Sequence, residues 1–96
     1  MLFMVVEKFR HQDAKPAYQR FRDKGRLMPE GVSFVGSWVS ADLSRCFQLM
    51  EADSVARLQQ WVSDWSDLVE FEVIPVVSGK ETAEALASRL PQEEEP

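Results

Sequence analysis

The stretch VSFVGSWVSADLSRCFQLMEA, Val32 to Ala52, decides how the rest of the chain is read. Val32 to Ala41 is rich in β-branched and aromatic residues, and Arg45 to Ala52 carries Cys46, Phe47, Leu49 and Met50 in a run free of Gly and Pro. Between them, Asp42 and Ser44 supply the side chains that stabilise a tight turn. Two strands so joined form an antiparallel hairpin. Upstream, Leu2 to Phe9 reads as a strand and Ala14 to about Leu27 as a helix, with Asp13 as N-cap and Pro16 tolerated in the first turn. Downstream, Asp53 or Ser54 caps a second helix whose Val55, Leu58, Trp61, Val62, Trp65 and Leu68 keep helical spacing. Val69 to Val77 is the last strand, where Pro75 points to an edge position, a bulge or the end of regular pairing. Ser78 and Glu81 stand at capping-box spacing and open a short third helix through about Leu90, with Ala83, Leu86, Ala87 and Leu90 on one side. This helix is expected to lie on the body of the domain or on a partner.

The order β-α-β-β-α-β is that of the ferredoxin-like plait, an α+β fold with a four-stranded antiparallel sheet. Residues 1–90 are expected to form one such domain, and residues 91–96 an acidic, disordered tail. Alternate side chains on a strand point oppositely, so each strand divides into two sets. Val69, Phe71 and Val73 are uniformly apolar, whereas Glu70, Glu72, Ile74 and Val76 are mixed. On the first strand Leu2, Met4 and Val6 oppose Phe3, Val5, Glu7 and Phe9. On the third, Cys46, Gln48 and Met50 oppose Arg45, Phe47, Leu49 and Glu51. The dry sets suit the helices, and the mixed sets suit a subunit interface or a cavity. Two helices cover only one face of four strands, so a homodimer that pairs two sheets as a dimeric α/β barrel is expected. The alternative is a monomeric plait with a partly wet outer face.

Composition narrows the function classes. At 45% hydrophobic and 28% charged, the 96 residues belong with soluble globular domains. The longest apolar run, Met1 to Val6, is far short of the ~20 residues of a membrane span, and it lacks the features of a signal peptide. A net charge of −5 argues against nucleic-acid binding, which depends on Lys and Arg neutralising phosphates. Arg20, Arg22, Lys24 and Arg26 alternate around their helix with Asp23 among them, as on a solvated face. A single cysteine excludes an internal disulfide and fits a reducing compartment, so a cytoplasmic location is expected.

Several segments together resemble a bacterial family catalogued only as a domain of unknown function, number 3303. They are Met1-Leu2-Phe3-Met4-Val5-Val6-Glu7, Pro29-Glu30-Gly31, Ser37-Trp38-Val39, Arg45-Cys46-Phe47-Gln48-Leu49-Met50-Glu51 and Trp65-Ser66-Asp67-Leu68-Val69-Glu70-Phe71-Glu72. The match spans most of residues 1 to 77. The resemblance implies a relation to the dimeric α/β-barrel superfamily but brings no activity. That superfamily includes cofactorless monooxygenases, isomerases, haem-degrading enzymes and plain ligand-binding proteins, so the fold alone does not choose among them.

Individual residues carry limited chemistry. His11 is the only histidine and precedes the first helix, as expected of an exposed loop residue, and one imidazole cannot build a multi-histidine metal or haem site within one chain. Cys46 lies mid-strand, where a thiol is ordinarily a small buried hydrophobe. Trp61 and Trp65 read as core, while Trp38, between Ser37 and Ser40 on a strand beside polar-faced neighbours, is a candidate to line a ligand cavity. A carboxylate such as Glu7, buried in an apolar wall, would have a raised pKa and could act as an acid or base. The leading expectation is a domain that binds a small, largely apolar molecule without a cofactor, with Trp38, Cys46, Gln48 and Glu7 as pocket-lining residues. Alternatives are a cofactor-independent monooxygenase or isomerase, and a structural or interaction module without a ligand.

Overall fold

The computed structural model describes residues 1–91. Strands β1 (Leu2–Phe9), β2 (Val32–Val39), β3 (Arg45–Ala52) and β4 (Val69–Val76) form one sheet in the order β2-β3-β1-β4, and every neighbouring pair is antiparallel. Helix α1 (Lys15–Lys24) links β1 to β2, and α2 (Val55–Trp65) links β3 to β4. This is the ferredoxin-like plait. Pro75 stands on β4, an edge strand.

Each boundary has a local cause. The N-cap of α1 is Ala14 rather than the expected Asp13, which stands one residue earlier and whose Oδ1 accepts from the Lys15 N–H at 3.0 Å. Gly25, at φ 71°, closes it, and its N–H donates to the Phe21 carbonyl at 2.8 Å. A left-handed residue at that place ends α1 at Lys24, three residues before the expected Leu27. The β2–β3 turn is held by Asp42 Oδ1, which accepts from the hydroxyls of Ser40 and Ser44 at 2.8 and 2.7 Å and from the Ser44 N–H at 3.0 Å. Ser40 is thereby drawn into the turn, and β2 stops at Val39 rather than Ala41. Ser54 caps α2 by accepting from the Arg57 N–H at 3.2 Å.

The helices pack on one face of the sheet. Phe3, Val5, Glu7 and Phe9 of β1 point to them, with Cys46, Met50 and Ala52 of β3 and Val69 of β4. The largest fully buried side chains are Trp61, Phe3, Met50, Leu58, Val5 and Val69. On β1 this reverses the expected assignment, since the set containing Glu7 faces the helices and the dry set Leu2, Met4 and Val6 faces outward. Burying a large apolar side chain stabilises by about 1.5–3 kcal/mol. Phe3, Val5 and Phe9 together therefore outweigh the burial of one hydrogen-bonded carboxyl on the same set.

Strand β2 carries a bulge. Phe34 pairs with Met50 and Gly36 with Leu49, so Val35 is the extra residue. Beyond it the alternation is inverted. Ser37 stands opposite Gln48 on the helix side, and Trp38 stands opposite Phe47 on the outer side.

After β4, Ser78 Oγ accepts from the Glu81 N–H at 3.0 Å and starts α3 (Gly79–Leu86), which continues into a 3-10 turn at Ala87–Arg89. Every residue from 77 to 91 is exposed, so α3 does not lie on the body of its own domain. The radius of gyration is 17.4 Å, against about 12.5 Å for a compact domain of this length. Apart from Pro91, the segment expected to be a disordered tail lies outside the described residues. Among the described residues, no helix is long and apolar enough to cross a membrane.

Candidate functional site

Between the sheet and the helices lies a cavity of about 100 Å³. Its floor is the sheet, with Glu7 and Phe9 from β1, Ser37 from β2, Cys46 and Gln48 from β3 and Val69 from β4. Its walls are Ala17, Tyr18 and Phe21 from α1, Trp61 and Trp65 from α2, and Arg26 from the connection between α1 and β2. Tyr18 and Phe21 are partly exposed and stand at the mouth. Antiparallel pairing brings the floor together: Glu7 sits beside Cys46 on one side and Phe71 on the other.

Glu7 is the one buried charged or polar residue among the described residues, at 5% exposure. Its Oε2 accepts from the Gln48 Nε2 amide at 2.9 Å. Burial raises the Glu7 pKa above the ordinary carboxyl value, while the Gln48 amide, the Cys46 thiol and the Arg26 charge pull it partly back. Gln48 Oε1 is buried and has no hydrogen-bond partner among the described residues. Burial, followed by the nearby Glu7 charge, pushes the Cys46 thiol up to about 12. A thiol so held stays protonated near neutral pH and is not a nucleophile. The Tyr18 hydroxyl is also raised, first by burial and then by the charges of Cys46 and Glu7.

The walls are tied to one another by hydrogen bonds and ring contacts. The indole N–H groups of Trp61 and Trp65 both donate to the Arg26 carbonyl, at 3.0 and 2.9 Å, and so tie α2 to the segment that follows α1. Trp61 also meets Phe71 edge to face, with ring centroids 5.6 Å apart. The Arg26 guanidinium lies 3.6 Å above the Phe34 ring and 4.9 Å from Phe21, so its charge rests on aromatic faces rather than on a carboxylate. Of the other basic residues on α1, Arg20 makes a two-pronged pair with Asp67 at 2.8 and 2.6 Å, and Arg22 pairs with Asp23 at 2.9 Å.

Three of the four residues singled out from the sequence, Glu7, Cys46 and Gln48, are brought together in this cavity. Trp38 is not. It lies on the opposite face of the sheet, 58% exposed, because the bulge at Val35 turns it outward. Tyr18, Phe21, Arg26 and Ser37 were not singled out as lining residues. The helical spacing of Tyr18 and Phe21 with Ala17 was the available signal, since that face had to meet the sheet. Trp61 and Trp65 were read as core, and they serve as both core and wall. His11 is exposed in the 3-10 turn Arg10–Gln12. Among the described residues, no three His, Cys, Asp or Glu side chains gather as a metal site.

Fold and cavity define a small ferredoxin-like α+β domain with a carboxyl–amide pair set in an aromatic pocket under its helices. The chain belongs to the family described as Domain of unknown function (DUF3303), whose family model matches residues 1–90. No curated protein and no solved structure matches it.

Proposed function

We propose that this chain is a homodimeric binding module, each subunit holding a small, largely apolar molecule that carries one hydrogen-bonding group. The observation that carries the reading is Glu7, buried and bonded to Gln48 in a cavity whose other lining is mostly aromatic and aliphatic, with Arg26, Ser37 and Cys46 beside them. An apolar side chain in that place would pack without the penalty of burying a carboxyl. Polar groups converging in an apolar pocket are the usual anatomy of a small-molecule site. The volume sets the scale, since an engineered cavity of about 150 Å³ admits benzene. At about 100 Å³ this cavity is smaller than that and opens to solvent beside Tyr18 and Phe21, so part of a ligand of that size would stand outside it.

Phenol and toluene are the discriminating probes, having similar size and differing in one hydroxyl. Titration followed by the fluorescence of Trp61 and Trp65 should saturate with phenol. Phenol should bind about fivefold tighter than toluene, the worth of one hydrogen bond of ~1 kcal/mol. Equal affinity would remove the role given to Glu7 and Gln48. Absence of saturation at millimolar phenol, about −4 kcal/mol, would sink the binding reading.

Support for the homodimer comes from the outer face. Leu2, Met4, Val6, Phe47, Leu49, Ile74 and Trp38 lie there uncovered by any helix. Lys8, Arg45 and Glu70 stand at one end of this face and Glu51 at the other, and Glu72 is exposed on the β4 edge opposite Val6. An apolar centre with a charged rim is how subunit interfaces are built. The raised pKa of Glu7 favours a second reading, in which its carboxyl transfers a proton to or from the bound molecule as in a cofactor-independent isomerase. That reading requires turnover with one limb of the pH profile set by Glu7, and loss of that limb in Glu7→Gln.

A further inference from the structure

The geometry points to residues 77–90 as an exchange arm, which leaves its own sheet and packs on a second copy of the chain. The inference rests on the homodimer proposed above and adds how that dimer is completed. Three observations meet here. First, α3 and the 3-10 turn after it carry an apolar stripe of Ala83, Leu86 and Ala87, continued by Leu90, yet Leu86 is 48% and Leu90 62% exposed in the single chain. A helix of eight residues is short of the ~12–15 at which isolated helices become even marginal in water, so its order calls for a surface to pack on.

Second, its own domain does not offer that surface. Only Val77 and Ser78 join β4 to α3, and the Ser78 cap fixes the direction in which the helix sets out. The long axis of the molecule is 62 Å against a second extent of 32 Å, whereas a strand of eight residues spans about 26 Å. The arm therefore projects beyond the sheet instead of folding over it.

Third, the arm would enlarge an interface built on the bare sheet face. Four strands about 4.8 Å apart and eight residues long project an area of about 500 Å², and a helix of eight residues, about 12 Å long and 10 Å wide, projects ~120 Å² more. In an exchange each subunit both gives and receives one arm, so the contact extends beyond the sheet on both sides. The arm also starts where it should. Val76, the last residue of β4, stands beside Leu2 on the outer face, so the stripe of α3 continues from the surface proposed as the interface.

The test uses the full chain and the double variant Leu86→Glu/Leu90→Glu. Both side chains are exposed in the single chain, so circular dichroism and the unfolding of the dilute monomer should be unchanged. Sedimentation equilibrium should show a wild-type dimer and a dissociation constant raised about tenfold or more in the double variant. Hydrogen exchange of wild-type residues 79–90 should show protection that grows with protein concentration. A wild-type dimer whose constant the double variant leaves unaltered, with fast exchange in α3 at all concentrations, overturns the arm and leaves the homodimer standing. Protection independent of concentration also overturns it, because the helix would then be covered by its own chain. A wild type that stays monomeric removes the homodimer and the arm together.

Discussion

The two faces of this sheet are built from the same kinds of residue and meet different fates. One side carries Phe3, Val5, Phe9 and Met50 under two helices and encloses Glu7 and Gln48. The other carries Leu2, Met4, Val6, Phe47 and Leu49 with Trp38 and no helix. Hydrophobicity does not separate them. What separates them is cover: both helices close over one side and neither lies on the other. Glu7 is bonded and its carboxyl held toward the neutral form, whereas the charged residues of the outer face, such as Glu51 and Arg45, stand exposed at the strand ends. The inner face thus suits a site, and the outer face suits an interface whose charges stay in water.

A pair of tryptophans breaks or supports that comparison with the largest expected effect. Trp61 is 1% exposed, so Trp61→Ala should lower stability to urea by about 3–5 kcal/mol. Trp38→Ala, measured at a dilution where the chain is monomeric, should stay within about 0.5 kcal/mol of wild type. Equal losses would show that the faces do not differ as described. Next in size is Leu49→Glu, which sets a charge in the middle of the outer face. It should raise the dimer dissociation constant about 100-fold, or ~3 kcal/mol, by sedimentation, and leave phenol binding unchanged. A dimer that tolerates this charge does not use the outer face.

Glu7→Gln sharpens the inner side. The folded pKa of Glu7 is raised, so the folded state holds the proton more tightly than the unfolded chain. Its contribution is therefore full below the unfolded value of 4.5 and is lost as pH rises through the folded pKa. Glutamine stays neutral and keeps an oxygen for the Gln48 amide. The variant should be more stable than wild type near pH 8 and similar at low pH, a difference that denaturant titrations at several pH values would read. A parallel pH dependence in both proteins would mean that Glu7 is ionised without penalty. The smallest effect is at the hairpin tip, which belongs to neither face. Hydrogen bonds from Ser44 and Ser40 lower the Asp42 pKa to about 2. Its stabilising contribution is present above the unfolded value of 3.8 and lost as pH falls through about 2. Asp42→Asn should flatten acid unfolding slightly in that window and change neither phenol binding nor dimerisation. A change in either would tie the tip to one of the faces.

Much of this was legible residue by residue. The Ser54 and Ser78 caps, the turn built on Asp42 and the stripe of α2 follow from interactions within a few positions of one another, and they appear in the structure close to where they were expected. Helical spacing carries α1 to about Leu27, whereas Gly25, at positive φ, ends it at Lys24. The site was legible in part. Glu7 and Gln48 stood out as polar exceptions, but which side of the sheet they faced did not. Trp38 shows the limit most sharply. Its side was set by one extra residue, Val35, and a slip of one residue sends every later side chain on a strand to the other face.

Element order, turn chemistry and helix amphipathicity were thus settled by local periodicity, because each depends on neighbours along the chain. The face that Glu7 takes, the bulge that turns Trp38 outward and the exposure of α3 were decided only by the assembled sheet. Those outcomes depend on how strands pair and on which competing burial is larger, and these sums are made between residues that are distant in sequence.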